Sequence, residues 1–184
     1  MLNIKTLSVS TNLTKLVDVS FTISSSTALV GQSGSGKSLI LKSILKLLPN
    51  NLTKTFQYSS DFDLTYENIG FIPQNPFTSL SPLTKIKNQF FCDYEKQVEM
   101  LKIVNLDLDT LEKFPAQLSG GQCQRVILAI VLSKVPKILL LDEPTTALDK
   151  QSSKLIIDLI KSLQKQFNFL ILFVTHDILS IKDI

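Results

Sequence analysis

The chain has 184 residues and a mass of 20.5 kDa, close to the length of one average domain of roughly 150 residues. Its 44% hydrophobic and 19% charged residues can build a core, which excludes intrinsic disorder and fibrous repeats. A formal net charge of +3, with Arg125 the sole arginine, is too mild for a nucleic-acid surface, so no nucleic-acid partner is expected.

Leu2, Ile4, Leu7 and Val9 are spaced for strand pairing, and Val17, Val19, Phe21 and Ile23 alternate with polar residues, which predicts two strands. No apolar stretch followed by small residues opens the chain, so no secretory leader is expected. Thr27-Ala28-Leu29-Val30 reads as a short buried strand running into a glycine-rich loop. Leu39, Ile40, Leu41, Ile44, Leu45, Leu47 and Leu48 then predict a helix that ends at Pro49. Residues 50–70 lack a helical period and read as irregular strands, and the three prolines between Ile72 and Pro82 force a loop.

From Ile86 to about Leu111 the pattern is helical but charged, which predicts a small helical insert. Leu118 to Gln122 opens a further helix whose Val126–Leu132 stretch is apolar all round. The continuous run Ile138–Leu141 predicts a strand covered on both faces. A helix from about Ser152 to Gln166 follows, with Leu155, Ile156, Leu159, Ile160 and Leu163 on one face, and then a second buried strand from Phe169 to Val174. Strands alternating with helices give an α/β fold with a mainly parallel sheet. The longest apolar runs fall far short of the roughly 20 residues of a membrane-spanning helix. Cys92 and Cys123 lie far apart beside a single histidine, which removes a disulfide framework and a Cys/His zinc site and points to a reducing cytosol.

Gly31 to Ser38 matches G-x-x-x-x-G-K-[ST], the phosphate-binding P-loop. In Gly31, Gln32, Ser33, Gly34, Ser35 and Gly36 the glycines allow a tight fold in which backbone N–H groups aim at phosphate oxygens, and the helix that begins at Lys37-Ser38-Leu39 adds the positive end of its dipole. Lys37 is predicted to neutralise the β- and γ-phosphates and the Ser38 hydroxyl to ligate Mg²⁺, so ATP and Mg²⁺ are the expected ligands. Asp142, at the end of a buried strand, is the expected second metal anchor, and adjacent Glu143 is placed to polarise an attacking water.

The string Leu118-Ser119-Gly120-Gly121-Gln122, followed by Leu139-Leu-Leu-Asp-Glu-Pro-Thr-Thr-Ala-Leu-Asp149, resembles the ATP-binding cassette (ABC) family. The resemblance covers almost the whole chain. It implies a P-loop NTPase fold with a mainly parallel central sheet, an N-terminal antiparallel β part and a small helical subdomain at about 84–120, all in one domain over 1–184. It implies that Ser119, Gly120, Gly121 and Gln122 act in trans on the nucleotide held by a second ATPase subunit. Gln74 matches the Q-loop, which touches Mg²⁺ and senses the transmembrane partner. Ala147-Leu148-Asp149 matches the D-loop at the dimer interface, and His176 matches the switch histidine that contacts the γ-phosphate.

Gln74 to Pro82, Phe114-Pro115 and Pro144 to Asp149 resemble the oligopeptide/dipeptide/nickel import branch. That branch implies an ATPase subunit at the cytoplasmic face of the membrane, bound peripherally to permease subunits and served indirectly by an extracytoplasmic substrate-binding protein. Two other readings stay open: a soluble non-transport ABC-type ATPase and a truncated regulatory paralogue. Two departures bear on them. The stretch Leu7 to Asn12 lacks the aromatic on which family members stack adenine, which implies weakened adenine affinity or relaxed selectivity for ATP over GTP. The chain also stops at Ile184, soon after His176, and is expected to be short for the family.

Overall fold

Alternating apolar residues near the N-terminus form an antiparallel pair, β1 (Leu2–Ser10) and β2 (Lys15–Ile23). Leu2 and Ile4 are out of phase with Leu7 and Val9 for a regular strand. A register shift between Ile4 and Leu7 absorbs the extra residue, and all four side chains end up buried. β4 (Thr53–Ser60) pairs along the other edge of β1, giving the order β2-β1-β4. The computed structural model describes residues 1–146 and 148–176. Ala147 of the expected D-loop and residues 177–184 lie outside that range.

Four parallel strands make the second sheet: β3 (Ser26–Val30), β5 (Ile69–Ile72), β6 (Ile138–Asp142) and β7 (Leu170–Thr175), in the order β3-β7-β6-β5. The aliphatic runs in β6 and β7 sort by parity onto two cores. Leu139, Leu141, Ile171 and Phe173 face one hydrophobic cluster, and Ile138, Leu140, Leu172 and Val174 face the other. α3 (Gly120–Leu132) and α4 (Lys150–Phe167) pack in the first cluster, and α1 (Lys37–Ile44) with β1 packs in the second. The register pairs Asp142 with Val174 and Val30 with Thr175, so β6, β7 and β3 end within one residue of one another.

Two expectations are corrected. Thr27–Val30 is not a buried strand. Among the described residues β3 lies at the edge of the sheet and pairs only with β7, and Val30 is 44% exposed. The first helix does not run to Pro49: it stops at Ile44 because Lys46 turns left-handed (φ 60). Leu47 N–H donates to Lys42 O at 2.8 Å and Lys46 N–H to Ser43 O at 3.3 Å, a Schellman cap that leaves Leu47 exposed. The helical insert expected over 86–111 is built of three short pieces. A short turn at Ile86–Gln89 ends where Phe90 becomes extended and enters the core. α2 (Tyr94–Ile103) starts at an Asp93 cap and finishes at left-handed Asn105 (φ 55). Another short turn, Leu108–Glu112, follows. In α4, Ile156, Ile160 and Leu163 face the core as expected, whereas Leu155 is exposed.

Candidate functional site

The loop between β3 and α1 is shaped by Gly34 (φ 82) and Gly36 (φ 89). Gly36 is the N-cap of α1, where no side chain caps the helix. A Cβ there would fall 2.5 Å from Val17 Cγ2 and 3.4 Å from Leu16 O, so both the dihedral and the space exclude any other residue. The exposed N–H groups of the first turn of α1 are thereby left without an intrachain side-chain acceptor, an arrangement suited to an anion. Lys37 is buried, and its ammonium donates to Gly31 O at 2.6 Å and Gln32 O at 2.8 Å, so it lies over the loop.

At the carboxyl ends of the parallel strands lies a cleft of about 720 Å³. Among the sequence-predicted residues it is lined by Gln32, Ser33, Gly34, Gly36, Lys37, Ser38, Leu39, Gln74, Asp142, Glu143 and His176. Gly31 and Ser35 lie outside the lining, Gly31 serving instead as an acceptor for Lys37. Ser38 Oγ donates to Asp142 Oδ2 at 3.5 Å. Burial raises the Asp142 carboxyl above its ordinary value, and neighbouring Glu143 raises it further, against the Ser38 hydrogen bond and the charges of Lys37 and Lys42. A cation placed between Ser38 and Asp142 relieves that cost, so the pair fits a divalent ion. Among the described residues no three His, Cys, Asp or Glu side chains converge on a common point. A divalent ion there would leave room for ligands from Gln74, phosphate and water, a donor set that suits Mg²⁺.

Glu143 has an unusual left-handed backbone (φ 47), fixed by its N–H donating to Val174 O at 2.9 Å. Its carboxylate is held at three points. His176 Nδ1 lies 2.8 Å from Oε1, while Gln74 Nε2 and Thr146 Oγ1 each donate to Oε2 at 3.2 Å. Thr146 was not singled out from the sequence, although it also lines the cleft. Its place three residues after a carboxylate in a turn is the pattern that could have found it.

Ser119, Gly120, Gly121 and Gln122 do not line this cleft. They start α3, where Ser119 Oγ accepts from Gln122 N–H and Gln122 Oε1 accepts from Ser119 N–H, a reciprocal capping box. Asp149 caps α4, accepting from Gln151 N–H and Ser152 N–H at 3.0 Å each. Thr11, upstream of the P-loop, sits in a turn and accepts from Thr14 N–H at 3.0 Å. A second groove, of about 470 Å³, runs between the end of α1 and α3 and is lined by Leu45, Leu47, Tyr66, Val131 and Lys134 among others. Lys134 Nζ lies 5.0 Å from the Tyr66 ring and 5.0 Å from the exposed Phe91 ring. No described helix is long and apolar enough to cross a membrane.

The chain is 35% identical over 180 residues to the oligopeptide transport ATP-binding protein OppD of Bacillus subtilis, covering 82% of this chain and 50% of that protein. It is 34% identical to the nickel import system ATP-binding protein NikD of Staphylococcus aureus, covering 91% of this chain and 73% of that one. It thus spans about half to three quarters of the length of these curated relatives. Among solved structures, a dimeric ATP-binding cassette in a post-hydrolysis state bound to ADP and Pi matches with a TM-score of 0.74 at 28% identity, covering 98% of this chain and 90% of that one. The ABC transporter family model matches residues 15–146, a span from β2 through the P-loop and α3 to the Glu143–Thr146 turn, and the chain belongs to that family.

Proposed function

We propose that the chain is the ATP-binding and ATP-hydrolysing subunit of an ABC importer for peptides or nickel. The observation that carries this reading is the cleft at the strand ends, where Lys37, the Ser38–Asp142 pair and the Glu143 carboxylate face one space. The P-loop amides and Lys37 bind the β- and γ-phosphates of ATP. Mg²⁺, when bound through Ser38 and Asp142, supplies charge neutralisation on the phosphates. Gln74 reaches the same space from the Q-loop. Glu143 orients a water and takes its proton as the water oxygen bonds to the γ-phosphorus and the bond to the ADP oxygen breaks. His176, at the end of β7, steadies Glu143 and faces the γ-phosphate.

The capping box at Ser119–Gln122 lies outside this cleft. That supports a second ATPase subunit, a copy or a paralogue, whose nucleotide it meets in trans. A dimeric relative holding ADP and Pi supports the same arrangement. On this reading the chain meets permease subunits through the Q-loop at Gln74 and the segment at 84–120, which would hold it at the cytoplasmic face of the membrane. The names of the curated relatives support peptide or nickel cargo, delivered through a substrate-binding protein. On this reading residues 1–184 form one ATPase domain with a helical subdomain at about 84–120.

Glu143→Gln keeps the shape of the side chain and removes the base. Equilibrium MgATP binding is expected to stay within about twofold of the parent, while phosphate release falls at least about a hundredfold. Undiminished phosphate release would remove Glu143 from the mechanism.

A further inference from the structure

We infer that Thr146 is a positioning residue for the Glu143 carboxylate. This rests on the reading of Glu143 as the base. Thr146 holds Glu143 twice. Its N–H donates to the Glu143 carbonyl oxygen at 3.2 Å, closing the turn, and its Oγ1 donates to Glu143 Oε2 at 3.2 Å. The other two partners come from elsewhere in the chain. Gln74 reaches Oε2 from an exposed loop between β5 and the turn at Pro76, and His176 meets Oε1 from the end of β7, with its side chain 52% exposed. Both line the cleft, as Thr146 does.

Thr146 differs because it belongs to the same short turn as Glu143 and moves with it. A donor fixed to Oε2 restricts rotation of the terminal carboxylate torsion, which is broad and roughly two-fold in an unrestrained glutamate. Oε2 accepts from Thr146 and Gln74 while Oε1 meets His176, and of these three partners Thr146 is the one built into the turn that carries Glu143. Its hydroxyl thereby sets the rotation of the carboxylate. Hydrogen bonds to a charged group are among the stronger kind, so loss of this one is expected to register in the rate.

Thr146→Val is nearly isosteric and leaves the backbone N–H of the turn in place. In the full chain it is expected to lower kcat for phosphate release about tenfold, with KM for ATP and equilibrium MgATP affinity unchanged. Thr146→Ser, which restores the hydroxyl, is expected to recover the parent kcat. In a Glu143→Gln background, Thr146→Val is expected to add no further loss, because the group it positions is gone. A crystal structure of Thr146→Val, which needs no turnover, is expected to show the Glu143 carboxylate rotated while its Cα stays in place. Parent-like or raised kcat in Thr146→Val, failure of Thr146→Ser to recover it, an effect confined to KM, or an unmoved carboxylate would overturn the proposal. A dead Glu143→Gln beside a fully active Thr146→Val removes the role of Thr146 alone. An active Glu143→Gln removes the reading of the base beneath it.

Discussion

The two helix N-termini that carry glycine motifs are built in opposite ways. α1 begins at Gly36 with no side-chain cap, and its amides face the cleft beside Lys37. α3 begins at Ser119 inside a reciprocal capping box, and its start lies away from the cleft. An uncapped helix start holds several N–H groups ready for a ligand and costs stability until one arrives. A capped start is satisfied by its own chain and stands without a ligand. One chain therefore carries a terminus that needs an anion and another that can wait for a partner.

Gly36→Ala breaks the first terminus most severely. The new Cβ meets Val17, and a φ of 89 strains any side chain, at a cost of about 1–3 kcal/mol for the dihedral alone. Nucleotide affinity measured by equilibrium titration is expected to fall more than about a hundredfold, together with a lower thermal midpoint. Ser119→Ala tests the second terminus and is milder. It removes one cap, at about 1 kcal/mol of stability, and leaves the nucleotide affinity of the isolated chain unchanged. A loss of affinity there would mean that α3 does reach the cleft of its own chain.

Asp142→Asn gives the smallest and most specific effect, because in the cleft this desolvated carboxylate stands next to a second one. The folded carboxyl of Asp142 lies above its ordinary value of 3.8. The native state therefore holds that proton more tightly than the unfolded chain does, and stability falls as pH rises from about the ordinary value through the raised one. In nucleotide-free protein the thermal midpoint of Asp142→Asn relative to the parent is expected to climb across that window and then level off at higher pH. A difference that shrinks as pH rises would contradict the desolvation of this carboxylate.

The chemistry-bearing segments were legible because their chemistry is local. The P-loop glycines, the helix start at Leu118–Gln122 and the aliphatic runs of β6 and β7 each declare their structure within a few residues. The features that were missed depend on partners far along the chain. Nothing in Thr27–Val30 says that it is an edge strand, because that depends on which strands pair beside it. The apolar period beyond Ile44 continues through Leu45, Leu47 and Leu48, and only the left-handed turn at Lys46 stops the helix. Phe90 interrupts the 86–111 segment because a core exists to receive it. In the site, the meeting of Ser38 with Asp142 follows from sequence motifs, whereas the bonds from Lys37 to the Gly31 and Gln32 carbonyls do not. Thr146 was hidden in a Pro-Thr-Thr turn, where threonine is ordinary filler, until the hydrogen bond to Glu143 showed its use.

The closely matched ends of β3, β6 and β7 work as a ruler. Gly31 follows Val30, Glu143 follows Asp142 and His176 follows Thr175, so these three functional positions each sit one residue beyond or at the aligned register of the sheet. A slip of one residue in either pairing would carry a carboxylate about 3.3 Å along its strand and also turn it to the other face of the sheet. Neither the Ser38–Asp142 contact nor the His176–Glu143 contact would survive such a displacement. The spacing of these side chains is thus set by main-chain hydrogen bonds between neighbouring strands.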